Sequence, residues 1–288
     1  MKDNVKEVAK KLNAEYINIR NPIRISGLLN TRLWRFQLRA LSHMSELWAV
    51  QSKINLAYKV SRTSDEAITG MYDAEYNTKR GSHYTYLNTL QYPRGFKKIT
   101  GYLPKETSQM KIIDIGAGSN EFLRFLHNEI AVPRNQLHAT DISKASIEII
   151  NRDGFQGYLG RIENLSLPES FFDITFLSYF IDYDTNQRAT FEETVRITKP
   201  NGKIILEGLF PSCPSGLLES DRTGLTFITK GDAAAEDIML VCQAFQDIAK
   251  AQRKKILVEK IIHGWRYIYN RRGHSKLPSY FLVFLVIE

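Results

Sequence analysis

At 288 residues, 43% hydrophobic and 24% charged, the chain has an ordinary globular composition and can bury one generous domain or a domain with an appendage. The longest apolar run, near Phe281 to Ile287, falls far short of the ~20 residues a membrane helix needs, and residues 1–26 lack a signal peptide's apolar centre, so the expectation is a cytoplasmic protein with no membrane partner. Cys213 and Cys242 form no CxxC and the six histidines show no ligand spacing, which argues against a disulfide framework and a metal site. The net charge of +8 is uneven: residues 1–70 and 251–288 carry +6 each, and residues 71–250 carry −4. A nucleic-acid footprint is one reading; solvated helix faces are the preferred one, because no basic run is longer than Arg253-Lys254-Lys255.

In chain order, residues 1–20 read as a short amphipathic helix, broken at "RNPIR". From Asn30 or Thr31 a long helical pattern runs to about Lys59, with Trp34, Leu38, Leu41 and Trp48 near one face, an arrangement that docks a helix on a protein body. Residues 71–95 are rich in tyrosine and polar groups without periodicity and read as a connector. Strand-like runs follow at 111–115, 136–140, 155–159, 172–177 and 202–207, with helical stretches at 120–130, 143–151 and 187–197 between most of them. Such alternation predicts βαβ units in a parallel sheet, with the ligand crevice at the carboxyl ends of the strands. A further helix is expected at 231–252. Strands at 256–269 and 280–287 close the chain as an antiparallel hairpin punctuated by Gly273 and Pro278.

The segment "KIIDIGAGSNEFL" (111–123) turns from a strand into a helix, and its glycines let backbone N–H groups approach a ligand closely. A dinucleotide fingerprint would need glycine where Glu121 stands, and Asp114 and Glu121 would repel a pyrophosphate. The turn therefore suits a ligand with a positive group and no phosphate. Asp141 ends the next strand, 25 positions beyond Gly116, where a carboxylate that grips both hydroxyls of a ribose is expected. A cation-accepting turn beside a ribose-accepting acid describes S-adenosyl-L-methionine. The plainer alternative makes the glycines a tight turn and Asp141 a helix cap.

"DIGAGSNEFL", "ATDIS", "GRIENLSLPESFFDITFLSYF" and "ETVRITKPNGKIILEG" resemble, in order and spacing, the successive motifs of the class I, Rossmann-like S-adenosylmethionine-dependent methyltransferases, over roughly residues 71–288. The resemblance implies an α/β fold with a doubly wound, mostly parallel seven-stranded sheet and an antiparallel C-terminal strand, preceded by a helical extension or lid at 1–70 and carrying an insertion at 209–252 near the substrate site. It places Asp114, Gly116, Ala117 and Gly118 on the cofactor turn, Asp141 on the ribose, Ile142, Ile162 and Glu163 around the adenine, and Ser178 and Tyr179 beside the methionine portion. Two positions depart from the pattern. Asn120 replaces a frequent third glycine, and asparagine tolerates the left-handed backbone. Arg161 stands where relatives often have an aspartate that reads adenine, which leaves the Ile162 backbone, apolar contact with Ile142, or guanidinium stacking.

A methyltransferase needs alignment of acceptor and methyl more than it needs a base. Asp182 and Tyr183, after the fourth strand of the motif set, are the catalytic candidates, with a helix cap as the alternative for Asp182. Tyr76 and Arg80 in the connector are candidates to close over the cofactor, with Arg80 on its carboxylate and packing as the alternative for Tyr76. His83 and His263 read as structural before catalytic. The chain shows "SYFID" in place of the [DNS]-P-P-[YF] of nucleic-acid amino-methyltransferases, and Cys213 lies beyond the position of a pyrimidine-methylating nucleophile. The expected acceptor is therefore a small molecule, with Arg266, Arg271 and Arg272 allowing an anionic one. An RNA or protein methyltransferase using the basic termini is the rival enzyme, and a non-catalytic binding module the rival of another class. The residues specify no oligomeric state.

Overall fold

The computed structural model describes residues 2–18, 69–70, 73, 103, 106–107, 109–118, 120–178, 186–208, 234–270 and 273–287. Its strands are β1 (Glu15–Asn18), β2 (Ile112–Ile115), β3 (Leu137–Asp141), β4 (Gln156–Leu159), β5 (Phe172–Ser178), β6 (Thr198–Gly208), β7 (Lys255–Asn270) and β8 (Gly273–Ile287). The helices are α1 (Lys2–Lys11), α2 (Glu121–Ile130), α3 (Lys144–Arg152), α4 (Gln187–Ile197) and α5 (Ala234–Ala251).

All eight strands form one sheet in the order β1-β7-β8-β6-β5-β2-β3-β4. Neighbours pair in parallel except β8, which runs antiparallel to both β6 and β7. From the centre, the chain moves outward through β2, β3 and β4, then returns to lay β5 on the other side of β2. That reversal opens a crevice at the carboxyl ends of β2 and β5, where α/β sheets bind ligands.

The doubly wound sheet matches the sequence expectation, with two corrections. Eight strands are present where seven were expected, and the extra one comes from the predicted N-terminal helix. That helix, which buries Val5, Val8 and Ala9, stops at Lys11 as Asn13 turns left-handed at φ 53°. The following "EYIN" then pairs in parallel with β7, and Lys260 pairs with Glu15 across the edge. The closing hairpin is also longer than expected: β8 starts at Gly273, in register with Asn270.

Helices cover both faces. On one, α2 buries Phe122, Leu123, Phe125 and Leu126, and α3 adds Ile147 and Ile150, against Ile112, Ile174, Phe176, Ile205 and Val283. On the other, α1, α4 and α5 pack Val5, Phe191 and Phe245 over Ile113, Ile204 and Phe284. The Phe191 and Phe245 rings stack at 4.2 Å, and Phe245 meets Phe284 at 4.7 Å. With both faces covered, β2 is buried at every residue, which explains why it is apolar apart from Asp114. Edge strand β4 is the contrast, with Leu159 51% exposed. The long helix predicted after residue 30, the 71–95 connector apart from Asp73, and residues 209–233 lie outside the described residues.

Candidate active site

The crevice is organised by the turn that leaves β2. Gly116 and Ala117 donate their N–H groups to the Thr140 carbonyl at 2.9 and 3.1 Å, tying the turn to the end of β3. Gly116 and Gly118 adopt φ of 72° and 55°, the left-handed region where glycine is least strained. Asn120 follows at φ 60° and ends the turn as the N-cap residue of α2. The asparagine is fully buried, and its Nδ2 donates to Asp153 Oδ2 at 3.1 Å, an acceptor shared with Arg124 at 2.7 Å. The left-handed backbone expected of Asn120 is thus what the chain adopts.

Asp141 closes the second side. Its Oδ2 accepts from the Gly118 N–H and its Oδ1 from the Ser143 N–H, each at 2.8 Å. Burial pushes the carboxyl above its ordinary range, and Asp73 adds to that, while the two N–H donors oppose it. An ionised carboxylate has about four acceptor sites, so two remain for a diol. The alternative role, capping α3, falls to Ser143, whose Oγ accepts from the Ser146 N–H at 3.2 Å. The Ser143 hydroxyl in turn donates to Asp73 Oδ1 at 2.7 Å, and the Ala145 N–H reaches the same oxygen at 3.1 Å.

Asp114 lies on the crevice floor, 3% exposed. Its Oδ1 finds no hydrogen-bond partner among the described residues. Burial first, then the charges of Asp141, Glu121 and Glu207, hold its carboxyl well above the usual range. An unpartnered buried carboxylate facing three other acids favours a cation. Among the described residues, no three His, Cys, Asp or Glu side chains are placed to hold a metal ion. The sulfonium and ammonium of S-adenosyl-L-methionine fit that requirement, and the left-handed glycine turn leaves room for its backbone contacts.

Beyond Asp141, the Gly160 N–H donates to the Asp141 carbonyl at 2.9 Å, with Gly160 at φ 137°, a conformation suited to glycine. Arg161 then enters a short turn of 3₁₀ helix at Ile162–Asn164. The guanidinium stands 3.7 Å from Glu163, both side chains being largely buried. The Ile162 side chain is in the core, which leaves its backbone for ligand contact, and Ile142 is half-buried beside Asp141. Ser178 ends β5 at the crevice. Tyr76, Arg80, Tyr179, Asp182 and Tyr183, with His83, Cys213, Arg271 and Arg272, lie outside the described residues, as do the side chains of Ser178, His263 and Arg266.

Two site residues escaped the sequence reading. Glu207 ends the apolar run "KIILE" as Asp114 ends "KIID", a signal present in the sequence. Asp73 had none, since its partners lie 70 and 72 residues away.

Residues 113–206 match the methyltransferase domain family. The chain is 24% identical over 119 residues to the uncharacterized protein MJ1123 of Methanocaldococcus jannaschii, covering 41% of this chain and 52% of that one. It is 25% identical over 117 residues to the biotin biosynthesis bifunctional protein BioHC of Cellvibrio japonicus, covering 40% and 22%. The chain thus spans about half or less of the length of the curated relatives it matches. Its fold is similar to the Haloferax volcanii protein solved in complex with the Trm112 methyltransferase activator, with a TM-score of 0.51 at 15% identity, covering 75% of this chain and 98% of that one. The glycine turn and Asp141 fall inside the matched segment, so residues 113–206, set in a doubly wound sheet, are similar to the methyltransferase domain family.

Proposed function

We propose that this chain is an S-adenosyl-L-methionine-dependent methyltransferase acting on a small-molecule acceptor. The observation that supports it most is the pair of buried acids at the carboxyl ends of adjacent strands, Asp114 and Asp141, set around a left-handed glycine turn. Bound there, the cofactor would supply an electrophilic methyl group on a positively charged sulfur. Asp141 would accept the ribose hydroxyls while keeping the Gly118 and Ser143 N–H groups. Asp114 would pair with the cofactor's cationic end, and the Ile162 backbone and Ile142 would border the adenine. Ser178 and Tyr179 are proposed beside the methionine portion, Tyr76 and Arg80 over the cofactor, and Asp182 or Tyr183 toward the nucleophile.

A small acceptor is favoured by the buried acids Asp114, Asp141 and Glu207 at the carboxyl ends of the strands, since a concentration of negative charge disfavours a nucleic-acid backbone. The test is calorimetric titration with S-adenosyl-L-methionine and S-adenosylhomocysteine, followed by transfer of labelled methyl to fractionated small metabolites and to RNA. Saturable binding with label in the metabolites supports the proposal. Label in RNA, with binding that falls steeply with salt, would replace it with the RNA reading.

A further inference from the structure

Asp141 sits in a closed loop of hydrogen bonds. Gly118 donates its N–H to Asp141 Oδ2 at 2.8 Å, and the Gly118 carbonyl accepts from Ser146 Oγ at 2.5 Å. The Ser146 N–H donates to Ser143 Oγ at 3.2 Å, and the Ser143 N–H returns to Asp141 Oδ1 at 2.8 Å. The glycine turn, the acid that ends β3 and the first turn of α3 are thus held as one unit. Asp73 joins this unit from 70 positions upstream, its Oδ1 accepting the Ser143 hydroxyl at 2.7 Å and the Ala145 N–H at 3.1 Å.

Capping of α3 does not by itself call for Asp73. Ser143 is already the N-cap residue and covers the Ser146 N–H, and a neutral side chain would serve the Ala145 N–H as well. An acid at this place also carries a cost, because its charge adds to the upward push on the Asp141 carboxyl. What a carboxylate supplies is an acceptor with no donor of its own, which fixes the direction of the Ser143 O–H. Ser143 is fully buried, so that proton must find an acceptor inside the protein. Without Asp73, the carboxylate beside it is Asp141, which the Ser143 N–H already touches. A hydroxyl turned onto Asp141 would occupy an acceptor site that a ribose diol needs.

We propose that Asp73 is a positioning residue of the ribose site, which draws the Ser143 hydroxyl away from Asp141 and so leaves the free acceptor sites of Asp141 open to the cofactor. This rests on the cofactor reading above. The test is calorimetric titration of the full chain with S-adenosylhomocysteine, at a temperature below the melting midpoint of every variant, in the wild type, Asp73→Ala, Asp73→Asn, Ser143→Ala and the Asp73→Ala, Ser143→Ala double variant. Asp73→Ala is expected to weaken binding about tenfold, and Asp73→Asn, which keeps an acceptor oxygen, about threefold. In the Ser143→Ala background no hydroxyl remains to be redirected, so adding Asp73→Ala should change affinity less than about twofold. A capping or purely charge-based role would persist in that background. Affinity of Asp73→Ala within about twofold of wild type, or an equal loss with and without the Ser143 hydroxyl, overturns the proposal. Should Ser143→Ala fail to fold, Asp73→Asn decides, and binding no tighter than that of Asp73→Ala overturns it. A wild type that binds no S-adenosylhomocysteine would instead strike the cofactor reading.

Discussion

Gly118 donates its backbone N–H to Asp141 Oδ2 at 2.8 Å, so the glycine turn of one strand is fastened by the acid that ends the next. The same carboxylate therefore shapes the turn and faces the proposed ribose site. Asp141→Asn replaces one acceptor oxygen with a donor NH2 that must face a backbone N–H, Gly118 or Ser143. We expect S-adenosyl-L-methionine affinity to fall by about 2 kcal/mol and the thermal midpoint to drop as well. Calorimetry and a melting curve measure the two, and unchanged affinity would remove Asp141 from the ribose.

Asn120 holds a left-handed backbone while donating to Asp153 from full burial. Asn120→Ala meets both penalties, the left-handed strain and the lost bond to a charged acceptor, for about 2–3 kcal/mol of destabilisation. Asn120→Gly relieves the strain and loses only the bond, so about 1 kcal/mol is expected. Urea unfolding gives the order, and Gly less stable than Ala would show that the backbone conformation is not the governing factor.

His138 is buried between Tyr158, to whose hydroxyl its Nδ1 is hydrogen-bonded at 3.0 Å, and the rings of Phe171 and Phe172. Burial, with Lys111 nearby, lowers its pKa from 6.5 to about 4. Between those values the unfolded chain binds the proton and the folded chain does not, so the unfolded state gains as pH falls. The contribution is fully present above pH 6.5 and is lost progressively toward pH 4. Urea midpoints across that window should fall in the wild type and be flatter in His138→Phe, which keeps the ring packing without the titration. Identical slopes would contradict the assignment.

Cys242 is fully buried on the core side of α5, and burial pushes its thiol up to about 12. The thiolate that reacts with alkylating reagents is therefore scarce. In a Cys213→Ser chain, iodoacetamide should leave the native protein unlabelled and label it in denaturant. Rapid native labelling would mean that this part of the core opens readily.

The central strands were legible because a strand covered on both faces is mostly apolar, and "KIIDI" and "GKIILE" are apolar apart from a leading lysine and one acid near the end. The crevice followed from topology, and Asp114 and Asp141 from acids that end such runs. Glu207 ends one too, and stands inside the quoted "ETVRITKPNGKIILEG", but that motif was read for its turn and not for its last acid. The strand at Glu15–Asn18 was missed because four residues after an amphipathic helix continue its pattern by chance, and their partner, β7, lies some 245 positions away. Asp73 was invisible for the same reason, its role being set by a long-range hydrogen bond to Ser143.

The most direct test of the account is a crystal structure of the full chain with S-adenosylhomocysteine. The ribose hydroxyls are predicted on the Asp141 carboxylate, which keeps its bonds to Gly118 and Ser143, and the ligand's ammonium on Asp114. A ribose bound away from Asp141, or a crevice that remains without the ligand at saturating concentration, would contradict it.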